Sequence, residues 1–340
     1  MDKISILDCT LREGGYVNNW DFGYENISKI INNLTEANLE YIECGFLKET
    51  SYNTNLSLFS DIFQLKKIIS KSSSTIYTLM INYGEYDFSK LPKNTDGDIA
   101  IRVAFKKHEI KGAFEFCKNI QDKRYKVFVN PMHIYSYSES ELERIIELTN
   151  ILSPYSFTIV DTTGAMKEKD ILSVTKIIKN RLDSKIKVSF HSHNNLQLSL
   201  SNAQYLIKLL PNRDLIIDST IYGMGRGAGN LYTEIIAQYF NDNYNGIYNT
   251  SIIFNLFDDV IKPIYEKTPW GYSVPYHIAA ENNCHPYYAK FLINKKNISI
   301  EMINSILKQI PENKKTTYDA QFIENMYIQN CSGVLTKGTV

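Results

Sequence analysis

Short apolar runs rich in β-branched residues recur along the chain, at Ile4 to Asp8, Tyr41 to Phe46, Ile76 to Ile81, Asp98 to Val103, Lys126 to Asn130, Phe157 to Asp161, Lys187 to His191 and Leu215 to Thr220. They read as eight strands. Most intervening segments are long enough for a loop and a helix. In Glu25 to Ala37 the apolar Ile27, Ile30, Ile31 and Leu34 fall at helical spacing, and Glu139 to Leu152 follows a serine-rich N-cap region. Strands that alternate with helices must pair in parallel, because each return to the sheet needs a crossover. Eight such units predict an α/β fold, a (β/α)8 TIM barrel over residues 1–245. Beyond that the strand signal fades. Ile252 to Tyr265, Val274 to Glu281, Tyr287 to Ile293 and Ile300 to Ile310 read as helices of a small C-terminal domain, 246–330, and 331–340 reads as a tail. Ser299 is placed to cap the last of these helices, whose stripe is Ile303, Ile306, Leu307 and Ile310.

Composition narrows the partners. The 340 residues hold 37 basic and 37 acidic side chains in mixed order, so nothing in the charge predicts nucleic acid or a membrane surface. No apolar run approaches the roughly 20 residues of a membrane helix. Cys9, Cys44, Cys117, Cys284 and Cys331 are odd in number, scattered and never in a Cys-x-x-Cys spacing, which predicts reduced thiols and a cytoplasmic protein.

In such a barrel the chemistry sits at the strand C-terminal ends, and Asp8, Glu43, Arg102, Asn130, Asp161, His191 and Asp218 all fall at or near one. The segment Asp8-Cys9-Thr10-Leu11-Arg12-Glu13-Gly14-Gly15 follows the first strand; His191-Ser192-His193-Asn194-Asn195 ends the seventh. Strand alternation turns His191 and His193 to the same side, into the barrel mouth. Closure of the sheet brings the first strand near the seventh and eighth, which makes Glu13 a third ligand for a divalent ion and Arg12 an oxyanion stabiliser. The plainer readings are a surface ion pair for Arg12 and Glu13 and partner-satisfied imidazoles for the histidines. The glycine-rich Tyr222 to Asn230 segment reads either as a phosphate-cradling loop or as a turn the barrel needs, with Asn230 able to offer a carboxamide oxygen.

Taken together, Asp8-x-Thr10-Leu11-Arg12-Glu13-Gly14, His191-x-His193-Asn194-Asn195-Leu196 and Gly223-x-Gly225-x-Gly227-Ala228-Gly229-Asn230 resemble the DRE-TIM metallolyase superfamily, most of all its 4-hydroxy-2-oxovalerate aldolase branch. Asp161-Thr162-Thr163-Gly164-Ala165-Met166 and Gly271-Tyr272-Ser273-Val274-Pro275-Tyr276 add to the match. The resemblance implies Mn2+ or Mg2+ held by Glu13, His191 and His193, with Asn230 a further candidate ligand and Tyr272 or Tyr276 near the site. It also implies a class II pyruvate aldolase that cleaves a 4-hydroxy-2-oxo acid through a pyruvate enolate, the ligands being a 2-oxo acid and an aldehyde. An aldehyde dehydrogenase partner or a homo-oligomer is the corresponding assembly. One departure stands out: those aldolases carry a catalytic-base histidine where this chain has Tyr16, and a phenol with a reference pKa near 10 is a poor base at neutral pH. His133 and His108, after the fifth and fourth strands, are the alternatives, while His277 and His285 read as structural. An acyl-CoA-dependent Claisen-type synthase of the isopropylmalate or citramalate type, or a non-catalytic metal-binding homologue, remain the rivals.

Overall fold

A computed structural model describes residues 3–70, 74–296 and 298–337. Eight parallel strands form the barrel: β1 Ile4–Asp8, β2 Tyr41–Leu47, β3 Ile76–Asn82, β4 Ile99–Phe105, β5 Lys126–Pro131, β6 Ser156–Asp161, β7 Lys187–Ser192 and β8 Leu215–Ser219. The sheet closes because β1 pairs with both β2 and β8. These are the strands that the apolar runs predict. A further two-residue strand, Leu58–Phe59, lies beside Phe46 and Leu47 and is too short to show in the hydrophobic pattern. Where it joins, the β2 register slips between Glu43 and Phe46. Gly45 makes this possible: its φ is +145°, and a Cβ there would meet the Ser57 carbonyl oxygen at 2.0 Å.

Inside the barrel the side chains stack in layers. Leu7, Tyr41, Ala100, Phe128 and Ile216 form one buried apolar cluster. Two residues further along the same strands stand Cys9, Glu43, Arg102, Asn130 and Asp218, all buried, so the middle of the barrel is charged rather than aliphatic. Above them Phe46, Met80, Ala104 and Met132 make an apolar collar around the mouth. Outside, the helices seal the sheet. Tyr24–Glu36 buries Ile27, Ile30, Ile31 and Leu34, each worth on the order of 1.5–3 kcal/mol when withdrawn from water. Glu139–Leu152 begins with a capping box in which Ser138 accepts from the Glu141 amide.

After the barrel, Thr250–Leu256, Phe257–Ile261 and Lys262–Lys267 run on as one interrupted helix, and Ile253, Leu256, Val260 and Ile261 belong to the barrel core. A separate core comprises Ala279, Cys284, Tyr288, Ala289, Leu292, Ile303, Ile306, Leu307, Ile310 and Ile323. It is built by Val274–Glu281, Pro286–Ile293, Ile300–Lys308 and Ala320–Lys337. Ser299 caps the third of these by accepting from the Met302 amide. The stretch read as a tail from Cys331 is instead helical as far as Lys337, with no proline to stop it; 338–340 lie outside the described residues. Among the described residues no helix is long and apolar enough to cross a membrane.

Candidate metal centre

At the C-terminal end of the barrel, Arg12, Glu13, Tyr16, His191, His193 and Arg226 line one concave mouth. Thr10–Glu13 forms a single helical turn directly after β1, which swings Arg12 and Glu13 over the barrel axis. His191 comes from β7, and His193, just past it, bridges through its backbone to Asn230. Glu13 Oε1 lies 3.3 Å from His191 Nε2 and 3.8 Å from His193 Nε2. The three side chains offer one carboxylate oxygen and two imidazole nitrogens, all within 4.8 Å of one another and all buried.

A chain of charges fixes this cluster from below. His191 Nδ1 faces Asp218 Oδ2 at 3.0 Å, so Nδ1 carries the proton and the Nε2 lone pair turns toward Glu13. Asp218 also accepts from Arg102, Arg102 donates to Glu43 Oε2 at 3.2 Å, and Arg12 Nε donates to the same oxygen at 2.8 Å. Arg12 then reaches Glu13 with its other arm. Burial pushes the Asp218 carboxyl up, but Arg102 and His191 more than reverse this and leave it below the usual carboxylate range. Burial lowers both histidines as well: His191 is pulled back in part by Asp218, whereas His193 is driven further down by Arg226. Both imidazoles are therefore neutral, the form in which a histidine can ligate a metal.

The residues fit a divalent cation. Glu13 Oε2 and Asn230 Oδ1 are buried without a hydrogen-bond partner in this structure, an arrangement that is costly unless something else occupies them. The donor set of one carboxylate and two histidines suits Mn2+, Fe2+ or Mg2+ better than a thiolate-seeking ion. Cys9, His191 and Asp218 also lie within ligand reach of one another, but the Cys9 thiol donates to the Ser219 carbonyl and Asp218 is already neutralised by Arg102.

Other candidates scatter. Tyr16 sits on the mouth wall, packed edge-on against Trp20 and Phe46. His133 does not line the mouth, although its neighbour Met132 does. Its backbone is left-handed, with φ at 55°, its ring is buried against Tyr135, and burial lowers its pKa to about 4. His108 is a solvated loop histidine beside Glu109, as its 76% side-chain exposure shows. Tyr272 and Tyr276 line a neighbouring cavity rather than the mouth. His285 caps Pro286–Ile293 by accepting from the Tyr287 amide, a structural role. The glycine-rich segment forms a turn in which the amides of Gly223, Met224, Ala228, Gly229 and Asn230 are spent on protein acceptors. Sequence reasoning missed the roles of Glu43, Arg102, Asp218 and Arg226. Charges embedded in otherwise apolar strands were the available signal for the first three, and a lone cation among glycines for the last.

Residues 98–254, from the start of β4 past the glycine-rich turn, match the HMGL-like family. This part of the barrel is similar to the HMGL-like family. The resemblance to the DRE-TIM metallolyases and their aldolase branch therefore holds. The 4-hydroxy-2-oxovalerate aldolase of Moorella thermoacetica is 24% identical over 273 residues, 78% of this chain and 78% of its own. The oxaloacetate decarboxylase of Mycobacterium tuberculosis is 22% identical over 246 residues, 68% of each chain. In structure, this chain superimposes on the N-terminal domain of a candidate aldolase from Bacteroides vulgatus with a TM-score of 0.74 at 26% identity, covering 88% of this chain and 98% of that one.

Proposed function

We propose that this aldolase-like lyase is a divalent-metal-dependent pyruvate aldolase that cleaves a 4-hydroxy-2-oxo acid into pyruvate and an aldehyde. The observation that supports this best is the convergence of Glu13, His191 and His193 with the Arg12 guanidinium in one buried mouth. Glu13, His191 and His193, with Asn230 adjacent, would hold Mn2+ or Mg2+, which when bound supplies a Lewis acid for the 2-oxo group.

The remaining work falls to the chain's own residues. Breaking the C3–C4 bond leaves a pyruvate enolate, and Arg12 is the cation beside the point where that negative oxygen develops. Glu43 and Glu13 grip Arg12 from two sides, so the guanidinium needs no rearrangement as charge appears. The collar of Phe46, Met80, Ala104 and Met132 limits water around it. Tyr16, on the mouth wall, is our candidate to take up the 4-hydroxyl proton. A decarboxylase would release the same enolate without needing that proton transfer; Tyr16 in place of a basic side chain and the Mycobacterium tuberculosis relative favour it as the second reading.

Turnover of 4-hydroxy-2-oxovalerate, read as pyruvate release, and of oxaloacetate, read as carbon dioxide release, separates the two. Arg12→Ala should lower turnover on the order of a hundredfold. Near-normal turnover in that variant refutes the role given to Arg12, and acyl-CoA-dependent thiol release would replace the aldolase by a Claisen-type synthase.

A further inference from the structure

A second cavity, of about 430 Å³, opens between the mouth and the C-terminal helices, and Tyr16 and Arg226 line both spaces. Its walls are aromatic, with Tyr265, Trp270, Tyr272 and Tyr276 among them, and among the described residues its only charged lining side chains are Arg226 and Lys290. The Arg226 guanidinium lies 4.9 Å above the Tyr16 ring and donates from Nη2 to His193 Nε2 at 3.3 Å, while its buried Nε has no partner. Lys290 Nζ rests 5.5 Å from the centre of the Tyr287 ring. Among the described residues neither cation forms an ion pair with a carboxylate.

A guanidinium whose acceptor is a neutral imidazole nitrogen lacks its ordinary counter-charge. Here even that acceptor is contested, because an imidazole nitrogen that ligates a metal has no lone pair left for Arg226. Two cations held against aromatic faces, in a cavity whose described lining holds no carboxylate, make a surface for an anion with a flat or apolar body. The other space bordering the mouth, beside Trp20 and Leu58, lacks this character, since its Lys48 is paired with Glu85 at 3.5 Å.

We infer that the second cavity receives the aldehyde half of the substrate, and that this half is an anion, carrying a phosphate or carboxylate recognised by Arg226 and Lys290. The inference rests on the aldolase reading above, which places the 2-oxo acid end at Arg12 and sends the 4-substituent past Tyr16. It makes Arg226 and Lys290 specificity-determining residues rather than catalytic ones.

Paired acceptors test it. Pyruvate is offered to the metal-loaded protein with glycolaldehyde or glycolaldehyde phosphate, and with propanal or succinic semialdehyde, so that each pair differs chiefly in an anion. The anionic member should win on the order of ten- to hundredfold in kcat/KM, the pair that shows the preference distinguishing phosphate from carboxylate. That ratio should collapse toward unity in Arg226→Gln and in Lys290→Gln, the latter exposed enough to spare the fold. Binding is read apart from chemistry by titrating inorganic phosphate or acetate against the fluorescence of Trp270 on the cavity wall, where a saturable change absent from both variants is expected. No saturable change with either anion overturns the inference. Deuterium exchange into pyruvate alone reports the enolisation step: exchange without any preference for anionic acceptors overturns the inference and leaves the aldolase reading standing, whereas anion binding without exchange sinks the aldolase reading and, with it, the assignment of the anion to an aldehyde.

Discussion

Replacing Arg102 by methionine strikes the charged layer at its centre. The side chain is fully buried and stands between Glu43 and Asp218, so its loss strands two carboxylates in the barrel interior. Breaking a buried ion pair from one side costs about 3–5 kcal/mol, mostly as the desolvation of the charge left behind. Glu43 keeps Arg12 at 2.8 Å and Asp218 keeps His191 at 3.0 Å, which points to the lower end, about 3 kcal/mol. Equilibrium urea unfolding at pH 7 measures this. The pH dependence is a sharper check. Asp218 has its folded pKa below the ordinary value, so its contribution is present above the unfolded pKa and is lost as pH falls through the folded one. In the variant the Asp218 carboxylate, without Arg102, instead takes up a proton and recovers, so the gap from wild type should narrow between pH 7 and pH 4. A triple variant that also carries Glu43→Gln and Asp218→Asn should regain much of the loss at pH 7. Arg102→Met within about 1 kcal/mol of wild type at pH 7, or a gap that widens in acid, would refute the view that these charges hold one another in place.

Asp218→Asn should weaken Mn2+ binding about 10–100-fold, because the neutral amide no longer fixes the His191 tautomer and orientation; calorimetric titration of the metal-stripped protein reads it, and unchanged affinity counts against the assigned ligand geometry. Burial lowers His133 to about 4 from an ordinary 6.5, so the stability tied to its neutral ring is present above pH 6.5 and lost as pH falls toward 4, a span worth about 3 kcal/mol by linkage. Unfolding free energy in His133→Gln should therefore fall less steeply than in wild type across that window, and parallel curves for the two proteins would be evidence against it.

The barrel was legible because its information is local. Each strand announces itself as a β-branched run, and helices such as Glu139–Leu152 carry both a stripe and a cap, so periodicity and capping agree. The first-turn and seventh-strand motifs were legible for a related reason, since closure of the sheet makes Glu13 and His191 neighbours whatever the loops do. What escaped depends on packing between distant strands. Glu43 and Arg102 look like strand-end residues in the sequence, yet they lie below the mouth, where only the register of β2 and β4 makes them partners. Arg226 was hidden inside a motif whose glycines serve the turn, and the left-handed backbone at His133 leaves no mark in the hydrophobic pattern.

The central claim is that the Glu13, His191 and His193 cluster uses a divalent ion to enolise a bound 2-oxo acid. The most direct test follows the pyruvate methyl signal by NMR in D2O, with metal-stripped protein and with added Mn2+ or Mg2+. Metal-dependent exchange that vanishes in Glu13→Ala is the predicted result; tight metal binding with no exchange at all would contradict it.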